Sequence, residues 1–346
     1  MKKNLIFVSN YFGNGGAARV MQTLLDYFSK ENLYELKLIT YLDDDKKYRI
    51  PENIEYITLN SKNKVQRIIE LRKILSKNKN SIIISFEYFV NMQIILASRF
   101  LKDKIIISER NDPSRRGNDK KKLRNFLYKF SDVLVCQTEE AKEYFPNKIQ
   151  KKTVVIPNPI KSKLPAAYNG EREKKIVNFC RLEPQKNLKM LIDSFEIVNK
   201  KYNDYTLEIY GEGSCKEELE KYIINKKLNK NVKIMPFVKD IHSKILKYKM
   251  FVSTSDYEGI SNSMIEAMGI GLPTICTDCP CGGARMMINS GENGILIKTG
   301  DIIGCANSMI EIIENKELEK KISKNSVKIR DKLSTKKIIN EWKKII

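Results

Sequence analysis

Two carboxylates eight residues apart, Glu258 and Glu266 in SDYEGISNSMIEAMG, stand in a 346-residue chain whose formal net charge is +21. A glycine follows the first, and a short apolar-patterned segment carries the second. The pattern predicts a buried strand over MFVSTS, a loop, and then a helix of about two turns stopped by Gly269, Gly271 and Pro273. Glu258 falls in that loop. Glu266 falls on the early helix and leans back towards its N-terminus. The backbone N–H groups of Gly259, Ile260, Ser261, Asn262 and Ser263 lie where a helix leaves donors free, which suits a phosphate. Carboxylates only accept hydrogen bonds, so a flanking pair suits hydroxyls on both sides of a phosphate group, the layout of a nucleotide sugar. A plainer reading competes: Ser263-x-x-Glu266 has the spacing of a capping box, which needs no ligand, and a lone loop acid such as Glu258 is most often solvated.

Other chemistry-bearing clusters are weaker. CTDCPC (Cys276, Cys279, Cys281) is the one cysteine cluster, but zinc prefers four ligands at paired spacings and the sole histidine, His242, is far off in sequence. Small residues in a turn explain it better, and no metal is expected. The Asp-x-Asp pattern in Asp43–Asp45 follows the second predicted strand, where a polar turn accounts for it. RRGNDKKKLRNFLYKF (115–130) concentrates six basic residues, including Arg115, Arg116, Lys120, Lys121, Lys122 and Arg124, and one acid before Phe126, Leu127 and Phe130. It reads as a patch for an anionic membrane or a lipid pyrophosphate, or as a solvated helix whose apolar side packs on its own sheet.

These residues must be positioned by a fold, and the pattern is strand, turn, helix, repeated. Short apolar runs occur at 4–10, 35–41, 54–59, 81–86, 104–108, 132–137 and 152–158, with helical stretches such as 64–75 and 91–101 between them. After NPIKSKLPAAYNGEREKK (158–175), broken by proline, glycine and charge, the rhythm restarts at 176–180, 206–213, 232–237, 250–255, 273–277 and 294–297. The class is therefore α/β: two doubly wound parallel-sheet domains, 1–157 and 176–331, joined by a linker over 158–175. A C-terminal helix over 332–346 is placed to cross back to the first domain. Ligands are expected at the carboxyl ends of the strands.

Composition narrows the class further. Hydrophobic content of 42% with 30% charge is that of a globular protein, and 346 residues suit two domains of about 150–200. Seven cysteines, an odd number, fit a reducing compartment. The apolar run after MKK stops at Val8, too short for a signal peptide, so a cytoplasmic location is expected. Lys+Arg at 63 against Asp+Glu at 42 allows nucleic acid, membrane or anionic substrates. Aromatic platforms, zinc-finger spacing and helix-turn-helix pattern are lacking, which argues against nucleic acid. FGNGGAAR does not give G-x-G-x-x-G in register, which disfavours a dinucleotide-dependent dehydrogenase.

SDYEGISNSMIEAMGIGLPTICTD resembles the Glu-x7-Glu region of retaining nucleotide-sugar glycosyltransferases of the GT-B fold, in particular glycosyltransferase family 4. GNGGAAR, ISERNDP, VIPNPI, CRLEPQKN, YGEGSCKEEL and NSGENGILI resemble further family segments in the family's order, so the likeness spans almost the whole chain. It implies two Rossmann-like domains facing a central cleft and a UDP-sugar donor, with no metal or other cofactor. Arg181 and Lys186 would neutralise the donor diphosphate, though alone they read as solvated charge in a strand-to-helix turn. Glu266 would accept from the ribose diol and Glu258 from the transferred sugar, with the backbone of Gly259–Ser263 nearby. Gly15 and Gly16 would let the first domain's backbone approach the diphosphate, or would simply serve a βα turn with positive φ.

SFEYFVNMQIILASR and SERNDP (Glu109, Arg110, Asn111) resemble a subgroup acting on N-acetylhexosamine-containing glycans. They are assigned to the acceptor side with Arg115 and Arg116. The acceptor implied is a polyprenyl-diphosphate-linked glycan of capsule, lipopolysaccharide or other surface glycoconjugate, met at the inner face of the plasma membrane. Many family members carry a histidine in the first domain near the reacting sugar; here the only histidine is His242 in the second. Two alternatives remain, a UDP-sugar 2-epimerase and a non-catalytic basic binding protein. The first would be expected to use more acid/base groups than one histidine supplies.

Overall fold

The computed structural model describes residues 2–13, 15–42, 48–61, 63–115 and 117–346, and in it the chain divides into two compact units. Asp43–Asp45 and Arg116 lie outside the described residues.

The first unit runs through Pro159 and takes in Thr335–Ile346. Its strands are β1 (Lys3–Ser9), β2 (Tyr34–Thr40), β3 (Ile54–Thr58), β4 (Ile82–Ser85), β5 (Lys104–Ser108), β6 (Val133–Cys136) and β7 (Thr153–Val155). All described pairings are parallel, in the order β3-β2-β1-β4-β5-β6-β7. Parallel strands covered on both faces need unbroken apolar runs. Ile82, Ile83 and Ile84 of β4 meet this, all of them buried and in register with Leu5, Ile6 and Phe7 of β1. The helix Gly16–Phe28 covers the sheet with a stripe of Val20, Met21, Leu24, Leu25 and Phe28. Strand order reverses direction between β1 and β4, the switch point at which open α/β sheets offer a crevice. The helix Thr335–Lys343 packs here: Trp342 is fully buried with its ring 5.5 Å from Phe86, and Lys343 Nζ lies 2.8 Å from Glu31.

The second unit, Ile160–Ser334, has strands β8 (Glu173–Phe179), β9 (Thr206–Tyr210), β10 (Val232–Met235), β11 (Tyr248–Ser253), β12 (Thr274–Thr277) and β13 (Ile295–Ile297). They are parallel in the order β10-β9-β8-β11-β12-β13, with the switch point between β8 and β11. Leu191, Phe195, Ile209, Met250, Val252 and Met309 form the centre of its core.

One segment behaves differently from its composition. Residues 160–172 are no free tether but part of the second unit. Arg172 donates to the carbonyls of Leu246, Tyr248 and Gly271 at 3.2, 3.0 and 2.7 Å and sits 3.3 Å from Glu319. Ile160 N donates to Leu333 O at 2.9 Å. Proline and glycine keep this stretch irregular, while one guanidinium satisfies several carbonyls and fixes its path. Among the described residues, no helix is long and apolar enough to cross a membrane.

Candidate active site

The loops leaving β8 and β11 flank the second unit's switch point and are stitched together by hydrogen bonds. Asp256 N donates to Gln185 O at 3.0 Å, and Gln185 Nε2 donates to Tyr257 O at 2.7 Å. Thr254 Oγ1 reaches the carbonyls of Lys186 and Asn187 at 3.1 and 3.0 Å. Asn187, in the left-handed region at φ 42°, caps the helix Leu188–Lys201 through Met190 N and donates its amide to Asp256 at 2.8 Å. Glycine is required at Gly211, where a Cβ would lie 1.9 Å from Cys180 O, and this lets the loop after β9 press on the loop after β8.

That framework brings Lys186 to Glu258 as an ion pair. Gln185 Nε2 and Ser255 Oγ lie 3.4 and 3.2 Å from the same carboxylate oxygen. Burial works against the Lys186 ammonium, but the adjacent Glu258 carboxylate outweighs it and holds the pKa above the ordinary lysine value. Lys186 is therefore a fixed cation. Arg181 is exposed nearby and forms no ion pair among the described residues.

The loop continues against Gly283, where a Cβ would stand 1.8 Å from Gly259 O. Glu258 N donates to Pro280 O at 2.9 Å. A small cavity is lined by Ser253, Ser255, Glu258, Gly259, Ser261 and Cys276. Cys276, Cys279 and Cys281 are buried beside it, and Cys281 Sγ donates to Glu258 O at 3.4 Å. The helix Asn262–Gly269 starts two residues earlier than a Ser263 cap would allow: Ser261 is the N-cap, accepting from Met264 N at 3.5 Å. The capping box is thus not formed, because with Ser261 as cap the partner position is Met264 and Glu266 lies two residues beyond it. Glu266 is instead buried, with Oε2 2.7 Å from His242 Nε2. His242, 24 positions before Glu266 in sequence, is brought against it by the fold. Its ring is 3% exposed and engaged with Glu266, so it does not present an acid/base group to a substrate.

The first-unit residues are placed at the carboxyl ends of its strands and on its flank. Gly15 is the N-cap of Gly16–Phe28 with φ −173°, extended backbone open to any residue, so the positive-φ turn is not realised there. Glu87, which the sequence reading passed over, accepts from Ser9 Oγ and Asn10 N at 2.7 and 3.0 Å and bridges β1 and β4 at the switch point. Its signal was its place just after an apolar run. Glu109 is buried and accepts from the Tyr128 hydroxyl, in a network with Asn91, which places it in the scaffold rather than at an acceptor surface. Arg110 donates to Asn158 Oδ1 at 3.1 Å and lies 4.8 Å over the Phe86 ring; burial lowers its pKa to about 9. Asn111 is exposed, as is Arg115, 3.5 Å from Asp112.

Arg124 does not belong to a surface patch. It is fully buried, donates to Pro113 O at 2.8 Å and packs 4.7 Å over the Phe145 ring. Its removal from the basic face has a helical cause: Arg124 shares a side of Asn118–Tyr128 with buried Leu127 and Tyr128. Leu123, Phe126 and Phe130 lie outward, with Lys120 and Lys122 exposed and Lys121 half-buried. Arg99 lies 4.8 Å over Phe100 and 4.2 Å over Phe130, joining the exposed aromatics into one face.

The family model described as "Glycosyl transferases group 1" matches residues 161–329, which include Arg181, Lys186, Glu258 and Glu266. The second unit is a group 1 glycosyltransferase domain. The chain is 28% identical over 395 residues to an uncharacterized glycosyltransferase of Methanocaldococcus jannaschii, covering 94% of this chain and 97% of that one. It is 25% identical over 353 residues, with 98% and 97% coverage, to the Campylobacter jejuni GalNAc-alpha-(1->4)-GalNAc-alpha-(1->3)-diNAcBac-PP-undecaprenol alpha-1,4-N-acetyl-D-galactosaminyltransferase. Anabaena HepE, solved with UDP and glucose, superposes with a TM-score of 0.85 at 17% identity over 98% of each chain, a likeness of fold. The architecture is GT-B, two parallel-sheet Rossmann-like domains.

Proposed function

We propose that the protein transfers a hexose or N-acetylhexosamine from a UDP-sugar, with retention of configuration, to a polyprenyl-diphosphate-linked glycan in surface polysaccharide synthesis. The observation carrying this reading is the Lys186–Glu258 pair held at the switch point, beside the start of a helix whose second turn bears Glu266. Lys186, with exposed Arg181, neutralises the diphosphate as charge develops on the leaving group. Donors at the helix start, Gly259–Ser263, face the sugar and phosphates. Glu258 accepts from the sugar's hydroxyls while oriented by Lys186, and Glu266 accepts from the ribose diol. In the transfer, the acceptor oxygen bonds to the anomeric carbon on the face from which the phosphate oxygen departs. The hydroxyl proton passes to that phosphate oxygen, so no protein base is required. Gly15 and Gly16 serve the donor from the first unit, and Arg110, Asn111, Arg115 and Arg116 serve the acceptor.

The relative in Campylobacter jejuni is named for an undecaprenol-diphosphate-linked acceptor, which supports a lipid-linked substrate here. Peripheral attachment to an anionic membrane fits the exposed Phe100, Leu123, Phe126 and Phe130 with Lys120 and Lys122 around them. The test is incubation with labelled UDP-glucose, UDP-galactose and their N-acetyl forms plus a polyprenyl-diphosphate-linked glycan. Label in the lipid-linked product, with the donor's anomeric configuration by NMR, is expected. Free epimerised nucleotide sugar would point to a 2-epimerase instead, and absence of turnover to a binding protein.

A further inference from the structure

A buried carboxylate is costly unless it is hydrogen-bonded, and Glu266, 5% exposed, has a specific donor. His242 comes from the short helix Ile241–Ile245, beyond β10, and places Nε2 2.7 Å from Glu266 Oε2. On the other edge of the ring, Lys161 Nζ lies 3.5 Å from Nδ1, and the Phe179 ring packs edge-on at 5.9 Å between centroids. An ammonium group can only donate. Lys161 therefore makes Nδ1 the acceptor and leaves the proton on Nε2, the tautomer that donates to Glu266. Packing by Phe179 and the two polar contacts fix the ring, and the ring in turn fixes the carboxylate. A long Glu side chain otherwise samples several rotamers.

We propose that His242 is a positioning residue for the donor nucleotide: it holds Glu266 in the orientation that accepts from the ribose diol, with Lys161 setting its tautomer. The proposal rests on the ribose role given to Glu266 above. It makes an atom-specific prediction, because a glutamine amide nitrogen can take the place of imidazole Nε2, whereas the shorter asparagine reaches only the place of Nδ1. His242→Gln keeps the donor to Glu266; His242→Asn and His242→Leu lose it.

The experiment is calorimetric binding of UDP and of 2′,3′-dideoxy-UDP to the full chain and these three variants. The wild type is expected to prefer UDP by on the order of tenfold or more, as hydrogen bonds to a charged group would give. His242→Asn and His242→Leu lose that preference by weakening UDP alone, and His242→Gln retains it. If His242→Leu fails to fold, the Asn and Gln variants carry the comparison. An unchanged preference in His242→Asn overturns the proposal, as does a parallel loss of both ligands, the mark of a merely structural role. Equal binding of the two ligands by the wild type instead removes the ribose role of Glu266, and the proposal with it.

Discussion

Replacing Lys186 by Met separates what the Lys186–Glu258 pair does for the fold from what it does for a ligand. Lys186 is 8% exposed, while the Glu258 side chain retains 21% of its exposure, so the pair lies between surface and interior. Surface pairs contribute about 0–1 kcal/mol, and breaking a fully buried one costs about 3–5 kcal/mol. A loss of about 2 kcal/mol is therefore expected for Lys186→Met, because Glu258 keeps only the partial donors Gln185 and Ser255. For a unit the size of Ile160–Ser334 that is roughly 4–8 °C in Tm. Adding Glu258→Gln removes the stranded charge, so the double variant should recover most of the lost stability. UDP affinity should not recover, since a charge-assisted contact to phosphate is worth about 1.5–3 kcal/mol, or roughly 10- to 150-fold. Differential scanning fluorimetry and calorimetry on the wild type, both single variants and the double variant read the two effects apart. A double variant no more stable than Lys186→Met would show that the pair is not coupled. UDP binding to Lys186→Met within twofold of wild type would refute the diphosphate role.

Three further outcomes are expected. In Glu258→Gln the carboxylate that lifts the Lys186 pKa is gone and burial is left to lower it, so UDP affinity should fall as pH rises on the alkaline side, below the ordinary lysine value, while the wild type stays flat; identical alkaline profiles would contradict this. Gly283→Ala places a Cβ 1.8 Å from Gly259 O and must displace the loop, lowering stability by an overpacking cost of about 1–3 kcal/mol and weakening UDP binding together; unchanged Tm and affinity would remove Gly283 as the support of that loop. Lys120→Gln/Lys122→Gln should reduce association with phosphatidylserine vesicles by about 1 kcal/mol per lysine, and Phe126→Ser should weaken it further without loss of Tm, whereas unaltered vesicle binding would retire the membrane face.

The strand pattern was legible because parallel strands buried on both faces must be short apolar runs: III over 82–84 with its serine neighbours, or MFVS before the first carboxylate, have few other uses. The chemistry-bearing loops were legible for the same reason, since they follow those runs at switch points. What sequence spacing could not supply was partnership across long separations. Lys186 and Glu258 are 72 positions apart, and only the hydrogen bonds between their loops bring them into contact. Ser261 and Ser263 are both competent caps; the extended backbone at Ser261 (φ −67°, ψ 121°) decides between them. His242 carries no local signal, and its role emerges only from the approach of the helix bearing Glu266. Arg124 could have been separated from its basic neighbours by period alone, since its face is that of Leu127 and Tyr128. A run of charge conceals the period of its helix.

The most direct measurement is a crystal structure of the protein with UDP bound. The account predicts the diphosphate within hydrogen-bonding reach of Lys186 and the amides at the start of Asn262–Gly269, and the ribose hydroxyls on Glu266. UDP seated elsewhere, or with its ribose away from Glu266 and its phosphates away from Lys186, would contradict it.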